Sequence, residues 1–140
     1  LGDVYKRQLC YCGSHGCLET YCSANSLEAA ASMSIKEFFP VLREGKSDHL
    51  NAIWQDYLKH LAFAMRNLNM IIDSPIIISG YLAPYLVPED LNMLLHLINE
   101  NNPFTLTADQ LLVGTHGQYT PAIGAALHYI NRFVHEGTAL

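Results

Sequence analysis

The sequence is short of cations, has no long apolar run, and carries no cysteine after residue 22. Only 8 Lys and Arg stand against 13 Asp and Glu in 140 residues, for a formal net charge of −5. The basic side chains are scattered, so no stripe of them is available to neutralise a row of phosphates. Direct nucleic-acid binding by this chain is therefore not expected. Nor are the tyrosines clustered with Arg or Lys in the manner of a base-stacking surface. Apolar runs such as Ile76-Ile77-Ile78 fall far short of the ~20 residues that a bilayer-crossing helix requires. The first residues lack the apolar stretch of a secretory signal. The expected location is the cytoplasm, with no membrane partner. The four cysteines all fall between residues 10 and 22, which suits a metal cluster better than disulfides spread over a domain.

Half of the residues are hydrophobic, and the length is sufficient for one compact domain with its own core. The chain begins at Leu1 rather than Met, and residues 1–8 (Leu-Gly-Asp-Val-Tyr-Lys-Arg-Gln) read as neither a helix nor a strand with a buried face. They are expected to be a truncation or assembly scar, with residues 9–140 forming the domain proper.

Local signals then mark out the elements. Ser26 is placed to cap a short Ala-rich helix, and Ser34 with Glu37 forms a capping box ahead of Ile35, Phe38, Phe39 and Leu42. Gly45 ends that helix. From Asp48, the apolar residues Leu50, Ile53, Trp54, Tyr57, Leu58, Leu61, Met65, Leu68 and Ile72 recur three and four apart, predicting one long helix stopped by Asp73-Ser74-Pro75. Ile76 to Gly80 reads as a parallel strand buried on both faces. Pro88, Glu89 and Asp90 open a helix carrying Leu91, Leu94, Leu95 and Ile98, which Asn101-Asn102-Pro103 ends. A second strand is expected at Leu111–Gly114, then a helix capped by Thr120-Pro121 with a close-packing face at Gly124, Ala125 and Ala126. The order is α/β with at least two parallel strands.

The segment Cys10-Tyr11-Cys12-Gly13-Ser14-His15-Gly16-Cys17-Leu18-Glu19 carries the chemistry. A C-x-C pair and a third Cys beyond a glycine-containing turn can supply three corners of a zinc tetrahedron from one loop, and Gly13 and Gly16 let the backbone fold back. Spacing alone also allows unpaired thiols or a disulfide such as Cys10 to Cys17. The residue order resembles the C-x-C-G-x-x-G-C-x-E pattern of the ROK family (repressor, ORF, kinase), whose members are sugar-responsive regulators and sugar kinases. That resemblance implies zinc held by Cys10, Cys12 and Cys17, with Glu19 accepting hydrogen bonds from sugar hydroxyls. In the family the fourth zinc ligand is a histidine of a Gly-His pair upstream; residues 1–9 contain none. His15 is expected to be an exposed loop residue and Cys22 a small buried one.

The resemblance further implies the C-terminal part of an actin-like ATPase (ribonuclease H-like) fold with a zinc-binding loop, the upstream half and its other strands being absent. Gly80 corresponds to the glycine turn near ATP, but the bulky Tyr81 and Leu82 that follow weaken it as a nucleotide site. The family's catalytic Asp and first phosphate loop belong to the missing half, and neither Asp73 nor Asp90 is expected to act as a general base. The expected function is the sugar-binding effector domain of a ROK-type transcriptional regulator, which itself is not an enzyme, is oligomeric, and touches DNA only through a missing N-terminal domain. The alternative is the C-terminal part of an ATP-dependent, glucokinase-like hexose kinase. Fold cannot decide between them.

Overall fold

A computed structural model describes residues 9–136 of the chain. Residues 1–8, expected to be a foreign segment, lie outside the described residues. Six helices and two strands follow the loop of cysteines: α1 (Glu19–Cys22), α2 (Ala24–Ala31), α3 (Ile35–Arg43), α4 (Asp48–Asn69), β1 (Ile76–Ile78), α5 (Pro88–Asn99), β2 (Leu111–Val113) and α6 (Thr120–Glu136). The strands pair in parallel, Ile76 opposite Leu111 and Ile78 opposite Val113, with α5 as the crossover. The α/β order holds, although most described residues are helical.

Helix starts follow side-chain chemistry. Ser23, not Ser26, caps α2: the Ser26 N–H donates to Ser23 Oγ (3.0 Å) and the Ser23 N–H donates back to Ser26 Oγ (3.1 Å). The chain turns three residues earlier than expected because α1 has already ended at Cys22. At α3 the Glu37 carboxylate accepts from both the N–H and the hydroxyl of Ser34, which holds its pKa below the ordinary value. Glu28 of α2 accepts from the Ile35 N–H at 2.9 Å, joining α2 to α3. Gly45 follows α3 at φ +69°, the left-handed conformation that glycine tolerates best.

The core lies between α2, α3, α4 and α5. Ile35, Phe38, Leu94 and Ile98 are fully buried there, each worth about 1.5–3 kcal/mol of transfer free energy. Leu50, Trp54, Tyr57, Leu58, Ala62 and Met65 form the buried stripe of α4. That stripe is shorter than its periodicity suggests. The helix stops at Asn69, whose side-chain amide donates to the Phe104 carbonyl at 2.6 Å, and Ile72 lies beyond it, 50% exposed.

Three other expectations are corrected. β1 is not covered on both faces: Ile77 and its register partner Leu112 are exposed, because among the described residues the sheet has two strands and no layer over that side. The small residues of α6 do not pack closely; Gly124, Ala125 and Ala126 are exposed and nothing lies within 4 Å of a Cβ built on Gly124. Thr120 does not cap α6 either. Its hydroxyl donates to the Gly117 carbonyl (2.8 Å), and a 3-10 turn at Gly117–Tyr119 leads directly into the helix. The small residue that does matter is Gly114. Its N–H extends the ladder to the Ile78 carbonyl (2.8 Å), and a Cβ there would meet Ser79 Cβ at 3.0 Å. Among the described residues no helix is long and apolar enough to cross a membrane.

Candidate functional site

The loop before α1 folds back on itself. Leu9 and His15 form an antiparallel bridge, the Cys10 N–H donates to the Ser14 carbonyl (2.7 Å), and the Gly13 N–H donates to the Cys10 carbonyl (2.9 Å). Gly13 and Gly16 take φ of +84° and +74°, so both turns use the freedom that only glycine has at no steric cost. The sulfurs of Cys10, Cys12 and Cys17 are brought together, all within 4.8 Å of one another, with Cys12 and Cys17 Sγ 3.6 Å apart. Tetrahedral zinc with bonds of about 2.3 Å would hold two sulfurs about 3.8 Å apart. The three thiols therefore fit such an ion.

Their electrostatics are uneven. Hydrogen bonds from the Ser14 N–H and hydroxyl, with smaller help from Cys10 and Cys17, pull Cys12 from 9.0 to about 7. Hydrogen bonds with Cys12 and Cys10, then desolvation, push Cys17 up to about 11. Cys12 is thus more easily deprotonated than Cys17, and a cation is what stabilises neighbouring thiolates against each other. No disulfide is present, so the Cys10–Cys17 bridge that spacing allowed is not formed. Among the described residues no fourth ligand joins the three. His15 stands outside the cluster. Cys22 points elsewhere: its thiol donates to the Tyr57 carbonyl (3.8 Å), and burial, then Asp56, raise it to about 12.

Glu19 opens α1, two residues after Cys17, and lines an open cleft of about 620 Å³ with Thr20, Asn25, Ser26 and Asp56 among its polar walls. The short helix is fixed from both sides. Thr20 Oγ1 donates to the Cys17 carbonyl (2.7 Å), and the Tyr57 hydroxyl of α4 donates to the Cys22 carbonyl (2.8 Å). Burial, with Cys22 and Glu19 nearby, raises the Tyr57 pKa. Tyr21 stacks on His60 (4.7 Å between ring centres, 10° between planes), and the His60 Nδ1–H can donate to the Asp56 carbonyl at 2.9 Å. Sequence reasoning missed Tyr21, Tyr57 and His60. Their available signal was the i, i+3 spacing of Tyr57 and His60 on α4, which brings them to one side of the helix.

Gly80 follows β1 at φ +96°, and it is not brought to the cysteine loop or the Glu19 cleft. In the turn after it Tyr85 stacks on Phe39 at 4.7 Å and Tyr81, 42% exposed, leans on Tyr85, while nothing lies within 4 Å of a Cβ built on Gly80 itself. Asp90 is buried and fully engaged. It accepts from Trp54 Nε1 (2.7 Å), from the Val87 N–H (3.0 Å) and from the Arg43 guanidinium, a structural role that leaves it no freedom to serve as a base.

No curated protein matches the chain. The fold is similar to the crystal structure of a ROK hexokinase from Thermus thermophilus, with a TM-score of 0.71 at 19% identity, over 91% of this chain and 46% of that one. The chain thus spans less than half the length of that protein, and at this identity the likeness is one of fold. The ROK family model matches residues 3–132, nearly the whole sequence. On that match, the chain belongs to the ROK family.

Proposed function

We propose that the chain is the C-terminal sugar-binding domain of a ROK-family transcriptional regulator; the family match begins at residue 3 and so runs through most of the opening segment expected to be foreign. The observation that carries the sugar site is the convergence of three thiols two residues ahead of α1, whose first residue is Glu19. In this reading Cys10, Cys12 and Cys17 hold zinc, which their soft sulfur set favours over magnesium or calcium, and water or a neighbouring group supplies the fourth ligand. The ion fixes the loop. Glu19 then presents acceptor lone pairs to the O–H groups of a sugar, with α1 held against α4 by Tyr57 and by the Tyr21–His60 stack. An upstream half of the fold covers the apolar faces of the sheet and of α6, the parent is a homo-oligomer, and an N-terminal domain outside this chain contacts DNA. Sugar occupancy then biases domain geometry.

The bulky Tyr81 and Leu82 that follow Gly80 support the regulator, since a backbone that must approach phosphate closely needs small neighbours. The likeness to a hexokinase supports the second reading, an ATP-dependent sugar kinase with the same sugar carboxylate and ATP as cosubstrate.

The test is calorimetric binding of aldohexoses to the zinc-loaded parent protein. Glu19→Ala should weaken binding about 10–100-fold, the equivalent of losing a hydrogen bond to a charged acceptor. Unchanged affinity would remove Glu19 from the site, and ATP-dependent phosphorylation of the bound hexose would replace the regulator with the kinase.

A further inference from the structure

The thiol cluster has a second chemistry within reach, independent of sugar. Cys12 is exposed at the tip of the loop next to Tyr11, which is 91% exposed, whereas Cys10 is only 5% exposed. Cys17 is half-buried, and its sulfur stands 3.6 Å from that of Cys12. Between the two lie Gly13 and Gly16, both at positive φ, so the segment that must move to bring the sulfurs into bonding distance is short and glycine-hinged. The remaining thiol, Cys22, is committed to the Tyr57 carbonyl on the other side of α1.

We infer that Cys12 and Cys17 are a thiol–disulfide modification site, at which a low-molecular-weight disulfide closes a Cys12–Cys17 bond and expels the metal. The expulsion step rests on the zinc reading above; the bond itself does not. The Cys12 thiolate attacks one sulfur of the reagent, whose S–S bond breaks and releases one small thiolate. The Cys17 thiolate then attacks the Cys12 sulfur of the mixed disulfide and releases the second. Two electrons pass from the cysteine pair to the reagent, and any proton still on either thiol passes to solvent. A zinc ion left with the single sulfur of Cys10 has lost two of its three protein ligands and departs. Selection of the pair follows from access and separation: the exposed sulfur meets the reagent first, and the adjacent, half-buried one resolves it.

The experiment uses the full chain, reduced, zinc-loaded, and titrated anaerobically with oxidised glutathione. Zinc release is followed with a chromogenic chelator, and the remaining thiols are alkylated. Chymotryptic cleavage after Tyr11 and Leu18 isolates residues 12–18, which carry both cysteines and become lighter by two hydrogens when bridged. The expected result is zinc release in step with that bridge, with Cys10 and Cys22 still alkylated. Cys12→Ser should lose the bridge, and Cys22→Ala should keep it. A bridge that includes Cys10, a stable mixed disulfide on Cys12, or zinc retained with both thiols intact would overturn the inference. A bridged 12–18 peptide from a chain that never bound zinc would uphold the modification site and defeat the metal reading.

Discussion

Replacing Asp90 separates structural from chemical roles for the one buried carboxylate of the chain's described core. Asp90→Ala removes the acceptor of three groups at once. The Trp54 Nε1–H, buried at the α3–α4–α5 junction, is left without a partner, at about 1–3 kcal/mol. The Val87 N–H loses its bond at the start of α5, about 1 kcal/mol by analogy with other caps. The Arg43 side chain is 33% exposed, so water takes over most of its solvation and its share is held to about 0.5–1 kcal/mol. The total is on the order of 3–5 kcal/mol, about 10–17 °C in Tm for a domain of this size. Asp90→Asn keeps an oxygen for Trp54 but turns an amide donor toward Arg43 or Val87, and should cost about half as much. Urea unfolding followed by far-UV circular dichroism measures both. In a Trp54→Phe background no indole donor is stranded, so the Asp90→Ala cost should shrink by about 1–2 kcal/mol in a double-mutant cycle. Sugar affinity per folded molecule should not move. An Asp90→Ala chain within 1 kcal/mol of wild type, or no coupling to Trp54, would refute the argument.

Alkaline pH should unfold the protein partly through Cys22. Its folded pKa is raised from 9.0 to about 12, so the unfolded thiol ionises first; its contribution is complete below pH 9 and is lost as pH rises through 9 toward 12. Cys22→Ala should flatten the fall of stability between pH 9 and 10.5 in urea titrations, with the raised Tyr57 accounting for a remaining slope above pH 10; an unchanged slope would show that Cys22 is solvated. Gly114→Ala should cost about 1–2 kcal/mol by overpacking, since the new Cβ meets Ser79 Cβ at 3.0 Å. Ser79→Gly in the same chain should restore most of it, and additive costs in thermal melts would mean that the two positions do not touch.

The parts legible in sequence are those whose cause is local. Pro88 and Asp90 open α5 because the missing proline N–H and the reaching carboxylate act within one turn. The cysteine loop folds on contacts between residues 9 and 17, using glycines visible in the sequence, so its pattern announced the clustering of three sulfurs. Even the error at α2 was local: Ser23 and Ser26 are both capping residues, and only the early end of α1 decides between them. What surrounds Glu19 was not legible. The Tyr21–His60 stack and the Tyr57–Cys22 bond join residues 35 or more positions apart, and nothing in either segment names its partner.

The overestimates of burial have a different origin. Hydrophobic periodicity specifies which side of an element is apolar, not which surface meets it. Along α4 the two questions have one answer, because α1, α2, α3 and α5 all lie on its stripe, and the stripe fails only at its end, from Leu68, which is 46% exposed in the last turn. Along β1 and α6 they do not. Ile77, Leu112, Leu127, Ile130, Phe133 and Val134 carry the composition of a buried layer while standing exposed among the described residues. A patch of this kind is the informative departure from ordinary surface composition, in contrast to isolated exposed side chains such as Leu18. Among the described residues the chain thus satisfies its helical core internally and leaves one face of its sheet and its last helix exposed, while the proposed Glu19 site is lined by residues of α1, α2 and α4.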